Sequence, residues 1–442
     1  DGDRAHVGRA RTKHRRLHGD ARSRPMSVMT RALPLTVLRV AGLGALFLYT
    51  LGILNAHSTA LRQIGFYAAL VVALALAATD ARHLARIARQ PLAWWLGAIA
   101  LFAGVSTLVS PEPAYSGSEA YKAIGFLVLS AFATALIVRS IADAEVVMWA
   151  SVAAAIDVSI YSLVQYAGEF ATTPRWPIAD IQRHRYYAEP LLWFLPALLW
   201  ALGRTRDRFV PWVGAGLAIY LLLLAATGAR AAWYGGLIAA AVWFYAEANR
   251  RRALVVTGAV VAAIVLALWI VPEPIFIDQA MRGFWASHRV HGAWLPAIEL
   301  VLERPWLGYG FGESLFHAAY NAEVAHRPDW FFRRSLGPHN VFLALWFAGG
   351  IGLVGSVVGT LVAYYACVGR ALVGKRSAWR TILLAGGCSV LAYLVIRGSF
   401  ESIPFRVCGL AFGLALAYAA QRPAPHLSEA AQHAGVSVHA RP

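Results

Sequence analysis

The sequence predicts an all-α, polytopic membrane protein with about twelve transmembrane helices and a partly helical periplasmic region between the ninth and the tenth. Three observations predict it. Of the 442 residues, 59% are hydrophobic and only 14% charged, against about 25% charged in soluble domains. Apolar runs recur at 34–54, 64–79, 92–109, 121–138, 146–167, 188–202, 209–226, 231–248, 253–271, 340–366, 381–396 and 407–420. A helix needs roughly 20 such residues to cross the hydrocarbon, and it satisfies its backbone internally where an open sheet cannot. The third observation is charge placement. Of 40 Lys and Arg, 25 fall in loops assigned to the cytoplasm, 14 in loops assigned outside, and Arg39 in the first span. That bias puts both termini in the cytoplasm. It also makes the net charge of +17 a topology signal and excludes nucleic acid as the partner.

Taken in order, residues 1–33 form a basic cytoplasmic segment with nine Lys and Arg. Residues 1–25, which begin without methionine, read as a tag or an over-long start and are set aside. Residues 34–271 hold spans one to nine. Arg39, near the cytoplasmic end of the first, is expected to snorkel to the headgroups of the membrane lipids. Asp157 falls mid-span, where a charge costs about 2.5–3.5 kcal/mol on the insertion scale. It should face the bundle interior, either as a structural hydrogen-bond partner or near substrate. Cys367, Cys388 and Cys408 lie in or at the edges of spans, where a disulfide scaffold is not expected.

Arginines placed outside run against the topology rule, and binding of an anionic ligand is the direct explanation. Lys122 opens the fourth span at its outer end. Arg183, His184 and Arg185 cluster beside Tyr186 and Tyr187 in the loop after span five, a composition that fits either a headgroup belt or substrate contact. Arg230 is the single charge in the turn between spans seven and eight, read either as an interfacial snorkelling residue or as part of a site.

Residues 272–338 are the outside region large enough to fold over the bundle and to carry part of a site. FIDQAMRGFWASHRVHGAWLPAIELVLE reads as an amphipathic helix with Arg282 and Arg289 on one face, kinked by Pro296. RPWLGYGFGESLF follows, with glycines at 308, 310 and 312 that let backbone approach closely. A phosphate loop would need a preceding strand, which the sequence lacks. His339 follows Pro338 at the outer start of span ten, and residues 339–420 hold spans ten to twelve. Gly355 and Gly359 have the spacing of a helix packing face. Arg397, Glu401 and Arg406 lie outside and are expected to pair among themselves, with a functional role for Glu401 as the alternative. Residues 421–442 form a cytoplasmic tail.

Arg289 followed by WLPAIELVLE, then RPWLGYGFGESLF, then PHNVFLALWFAGGIGLVG, in that order and spacing, resembles the O-antigen ligase / O-antigen polymerase superfamily of integral membrane glycosyltransferases, and O-antigen ligase most. The resemblance implies a multi-pass protein of the bacterial inner membrane with its site on the periplasmic face. It implies transfer of a glycan from an undecaprenyl-diphosphate donor to the lipid A core. Polymerase and protein O-oligosaccharyltransferase activities belong to the same superfamily and stay as alternatives. By resemblance Arg230, Arg289 and His339 match the functional positions, and Lys122 a further basic one.

The residue chemistry fits. A departing pyrophosphate develops negative charge, and the guanidinium fork donates two parallel bonds to phosphate oxygens. Arg230 and Arg289 are the candidates, with Lys122, Arg183, Arg185 and Arg282 as further substrate contacts. An acceptor hydroxyl must lose its proton, and histidine, with an ordinary pKa about 6.5, suits a general base. No HExxH, CxxC or D-x-D pattern appears outside, so no metal cofactor is expected and arginines would take over its electrostatic role. A transporter of anionic lipids is the reading from another class. Transporters of that kind show internal repeats, and no convincing one is seen here.

Overall fold

The computed structural model describes residues 26–172, 186–246, 250–270, 289–373 and 377–421. All the regular structure among these residues is helical. The chain divides into two units, Asp1–Val37 and Leu38–Pro442, and the second holds the bundle and the site.

The bundle begins with α1 (Met26–Gly52), α2 (Thr59–Thr79), the short α3 (Ala81–Ala88) and α4 (Pro91–Val109). Next come α5 (Pro113–Ala120), which passes through a π-turn (Tyr121–Gly125) into α6 (Phe126–Ile137), and α7 (Ile141–Thr172). After these come α8 (Ala188–Arg204), α9 (Val210–Ala226), α10 (Arg230–Ala246) and α11 (Arg250–Ile270). The region outside the bundle holds a π-turn (Val290–Trp294), α12 (Leu295–Glu303) and α13 (Glu313–Glu323). The chain returns through α14 (Val341–Val373), α15 (Ala378–Val390, continued by a π-turn, Leu391–Ile396) and α16 (Cys408–Gln421).

A helix stands at each of the twelve expected apolar runs, and eight of the described helices are long and apolar enough to cross a membrane. The runs at 188–202, 231–248, 253–271 and 407–420 fall outside those eight. Large apolar side chains such as Val71, Trp94, Leu108, Trp212 and Val362 remain exposed along the helices, the surface a polytopic protein presents to lipid. The three cysteines are free and buried.

Small residues set the closest helix contacts, as expected where lipid supplies no hydrophobic drive between helices. A Cβ on Gly413 would stand 2.6 Å from the Ala131 carbonyl, and one on Gly409 would collide with Ser130 and the Leu127 carbonyl, so α16 lies directly on α6. Between α4 and α14 the close contacts are Gly352 against Phe102 and Gly359 against Trp95. Gly355 meets nothing within 4 Å. The packing stripe is therefore 352 and 359, seven apart, and not 355 and 359 as the spacing had indicated.

α14 is broken. Gly350 has φ 67° and ψ −172°, and a break inside a helix releases carbonyls that lipid cannot satisfy. The glycine-rich loop satisfies them instead. Tyr309 N donates to Phe347 O at 2.7 Å, Gly310 N donates to Ala348 O at 3.0 Å, and Ile351 N reaches Pro305 O at 2.8 Å. Ser106 of α4 also donates to Ala348 O. Gly308, Gly310 and Gly312 all have positive φ, and side chains there would strike Phe347, Ser110 and Tyr115. With those amide groups spent on α14, the loop is a structural clamp and not a phosphate cradle.

The region after Arg289 has a core of its own, built from Ala297, Leu300 and Val301 of α12, Leu315, Phe316 and Tyr320 of α13, Trp330, and Phe347 of α14. Pro296 does not bend an otherwise regular helix. The backbone passes through the π-turn immediately before it, which removes the demand for the amide proline lacks.

Two expectations about charges are corrected. Arg39 does not snorkel; its Nη2 lies 2.6 Å from Asp143 at the start of α7. Asp157 is not enclosed in the bundle interior, its side chain being 43% exposed. Its carboxylate takes Asn55 Nδ2 at 2.6 Å and His57 at 3.1 Å, from the turn that follows α1. The helix α7 has 32 residues and spans about 48 Å at 1.5 Å per residue. Its sequence midpoint therefore reaches the level where α1 has already ended.

Candidate active site

The site is assembled from the start of α14, the turn after α15 and the π-turn before α12. Asn340 caps α14: its Oδ1 accepts from Phe342 N at 2.8 Å and Leu343 N at 3.1 Å, filling two of the orphan donors of a helix start. Its Nδ2 donates to Ser399 O at 3.0 Å, tying α14 to the turn after α15. His339, just before the cap, has φ 43°, the single positive value among the described non-glycine residues. Trp294 Nε1 donates to the His339 carbonyl at 3.4 Å. A left-handed histidine costs of order 1–3 kcal/mol and persists only where its surroundings fix it. Here both the cap and Trp294 do so.

Glu401 faces it. Phe400 N and Glu401 N both donate to Arg397 O, at 2.9 and 3.0 Å, closing the turn that carries the carboxylate. Glu401 Oε2 lies 3.5 Å from His339 Nδ1, and Oε1 lies 3.9 Å from Arg289 Nη2. Arg289 also rests over the Phe400 ring, at 5.8 Å from its centre, and Phe400 packs on Trp294. Burial by itself would raise the Glu401 carboxyl. The hydrogen bond from His339 and the charges of His339, Arg397 and Arg289 outweigh it and hold the group below the ordinary glutamate value. Glu401 is thus an anion held between His339 and Arg289.

His339 and Glu401 line a cavity of about 470 Å³, together with Gly310–Gly312, Glu313, Tyr186 and Phe405, within the range of small-ligand sites. A carboxylate at Nδ1 selects the tautomer with its proton there, which leaves the Nε2 lone pair for a substrate hydroxyl. Arg289 stands beside this pair as a half-buried cation.

The other candidates are placed as follows. Arg230 begins α10, which packs on α15, on its π-turn and on the turn Arg397–Ser399. Gly235, five residues in, lies against the Ala392 carbonyl, five residues before Arg397. Equal rise along the two helices brings Arg230 to the same end of the bundle as Arg397, although Arg230 does not line the cavity. Lys122 neighbours the lining residue Ala123, but its amine is held 2.6 Å from Glu119 and is largely exposed. Arg183, Arg185 and Arg282 lie outside the described residues. Arg397, Glu401 and Arg406 do not pair only among themselves, since Glu401 turns to His339 and Arg289 while Arg397 turns to Glu189.

Residues 215–357 match the O-antigen ligase family model. The O-antigen ligase of Salmonella typhimurium (strain LT2) is 30% identical over 249 residues, which cover 53% of this chain and 59% of that protein. Residues 215–357 are thus similar to the O-antigen ligase family, and the curated relative is similar over about half of this chain. This chain matches a little over half the length of that curated relative.

Within the superfamily match fall Arg230, Arg289 and His339, whereas Lys122, Arg183, Arg185 and Glu401 lie outside residues 215–357. Glu401 is the residue that sequence reasoning undervalued. The only local signal was a carboxylate between two arginines in RGSFESIPFR, and nothing there pointed to His339, sixty-two positions earlier. Asn340 and Trp294 entered only as parts of the motifs PHNVFLALWFAGGIGLVG and WLPAIELVLE, and Glu189 carried no signal.

Proposed function

We propose that this protein is a membrane glycosyltransferase of lipopolysaccharide assembly. It moves an O-antigen-type glycan from an undecaprenyl-diphosphate donor to a hydroxyl of the lipid A core, in the bacterial inner membrane, at a site on the periplasmic face. The observation that carries this reading is the His339–Glu401–Arg289 constellation at the edge of the cavity. It supplies a base and a phosphate-pairing cation that share one carboxylate, Glu401.

In the step, the acceptor oxygen forms a bond to the anomeric carbon as the bond from that carbon to the diphosphate breaks, which inverts configuration. The hydroxyl proton passes to His339 Nε2 and the undecaprenyl diphosphate leaves as the anion. Glu401 stabilises the imidazolium that results. Arg289, with Arg230 at the same end of the bundle, offsets the charge that develops on the leaving diphosphate. This chemistry asks for no metal. The twelve apolar helices would all span, with both termini in the cytoplasm.

The test is reconstitution of the purified protein in lipid with undecaprenyl-diphosphate glycan and lipid A core. Joined glycan–lipid A core is the expected product. Chain growth on the donor alone would assign polymerase activity, and movement of intact donor across the bilayer without transfer would assign transport.

A further inference from the structure

Behind Glu401 lies a second charged pair that the reaction above does not use. The Arg397 side chain is 6% exposed, and its Nη2 is 3.5 Å from Glu189 Oε1 at the start of α8. Its Nε and Nη1 are buried with no hydrogen-bond partner among the described residues. The same residue closes the turn that carries Glu401, through its carbonyl. A guanidinium with idle donors in a buried setting attracts any carboxylate within reach. Two are within reach. Glu189 Oε1 stands 3.5 Å from Nη2, and Glu401 sits in the turn that Arg397 itself closes, its amide on the Arg397 carbonyl at 3.0 Å.

We propose that Glu189 is a positioning residue: by engaging Arg397 from the far side, it leaves Glu401 turned toward His339. Glu189 touches no substrate in this arrangement. Without its charge, Arg397 captures Glu401 and His339 loses the carboxylate at Nδ1. This inference rests on the reading of His339 as the base only for its effect on transfer, and not for the geometry itself.

The experiment follows modification of His339 by diethyl pyrocarbonate against pH, read by mass spectrometry of its peptide, in the full-length protein in lipid. Glu401→Gln sets the reference: with no carboxylate at Nδ1 the pH midpoint of modification should move down. Glu189→Gln should move it the same way. In Glu189→Gln/Arg397→Gln the competing cation is gone, and the midpoint should return to the wild-type position. A purely structural role predicts the reverse, with the double variant at least as disturbed as the single one. Should Glu189→Gln not fold, Glu189→Asp replaces it, with a smaller downward movement expected. An unmoved midpoint in the single variant, or no recovery in the double, overturns the proposal. In transfer assays Glu189→Gln should lower kcat and leave the donor KM unchanged. Midpoints that move as expected in a protein without transferase activity would keep the positioning role and reject the reaction instead.

Discussion

Glu401 Oε2 lies 3.5 Å from Nδ1 of His339, although the two residues reach the site on different elements, the turn after α15 and the residue preceding the α14 cap. The same carboxylate faces Arg289. This single anion therefore couples the histidine proposed as base to the arginine proposed for the leaving group, and the first predictions follow from it.

His339→Ala is expected to lower turnover by about 10²–10⁴-fold, the usual contribution of a general base, while donor binding stays near wild type. Arg289→Ala should cost roughly 2–5 kcal/mol in transition-state stabilisation, about 30- to 4,000-fold, and lysine should rescue poorly because it lacks the fork. Donor affinity by calorimetry and single-turnover transfer separate the two effects. Loss of donor binding in His339→Ala, with normal transfer by the complex that still forms, would recast the histidine as a phosphate ligand.

Glu401→Gln gives a pH-dependent stability difference. The folded protein holds this carboxyl below its ordinary value, and glutamate in an unfolded chain titrates at about 4.3. The ionised group therefore stabilises the fold fully above that pH, and the contribution is lost as pH falls through the lower folded value. The Tm gap between wild type and Glu401→Gln should be full near neutral pH and shrink as pH falls below about 4.3. A gap that widens on acidification would contradict the charge assignment.

Gly350→Ala and Gly355→Ala should behave oppositely, though both lie in α14. At Gly350 the positive φ and the Trp306 carbonyl leave no place for a Cβ, and a cost of about 1–3 kcal/mol is expected. Gly355 is helical with open space around it, so alanine should be neutral or stabilising by about 0.5–1 kcal/mol. Thermal unfolding in one detergent compares them directly, and equal effects would mean that the break in α14 is not fixed by the loop.

Arg327 packs against Glu299 and Glu303 of α12, at 3.4 and 3.5 Å, on the outside region. With the twelve-span topology, Arg327→Cys should react with a membrane-impermeant maleimide added to intact spheroplasts. Labelling only after permeabilisation would reverse the assignment of faces.

Transfer should persist in EDTA, because the arginines take the place of a divalent ion at the diphosphate. Activity lost in chelator and restored by magnesium or manganese would refute metal independence.

The sequence by itself determined the class of the protein and the end of the chain where chemistry gathers. Apolar runs specify helices because a bilayer offers the backbone no other partner, and the distribution of arginines is written in the linear order of the loops. Arg289 and His339 were legible as candidates because each stands beside an apolar helix and in a motif that resembles the superfamily. The tertiary structure alone decided the partners. Glu401 meets His339, Arg39 meets Asp143 and Arg397 meets Glu189 across separations of 62, 104 and 208 residues, and no local pattern encodes such pairings. The break at Gly350 was equally silent, because it is stable only where Tyr309 and Gly310 of a distant loop satisfy the carbonyls it exposes. Periodicity reports which residues share a helix face; which charge meets which depends on how the faces pack.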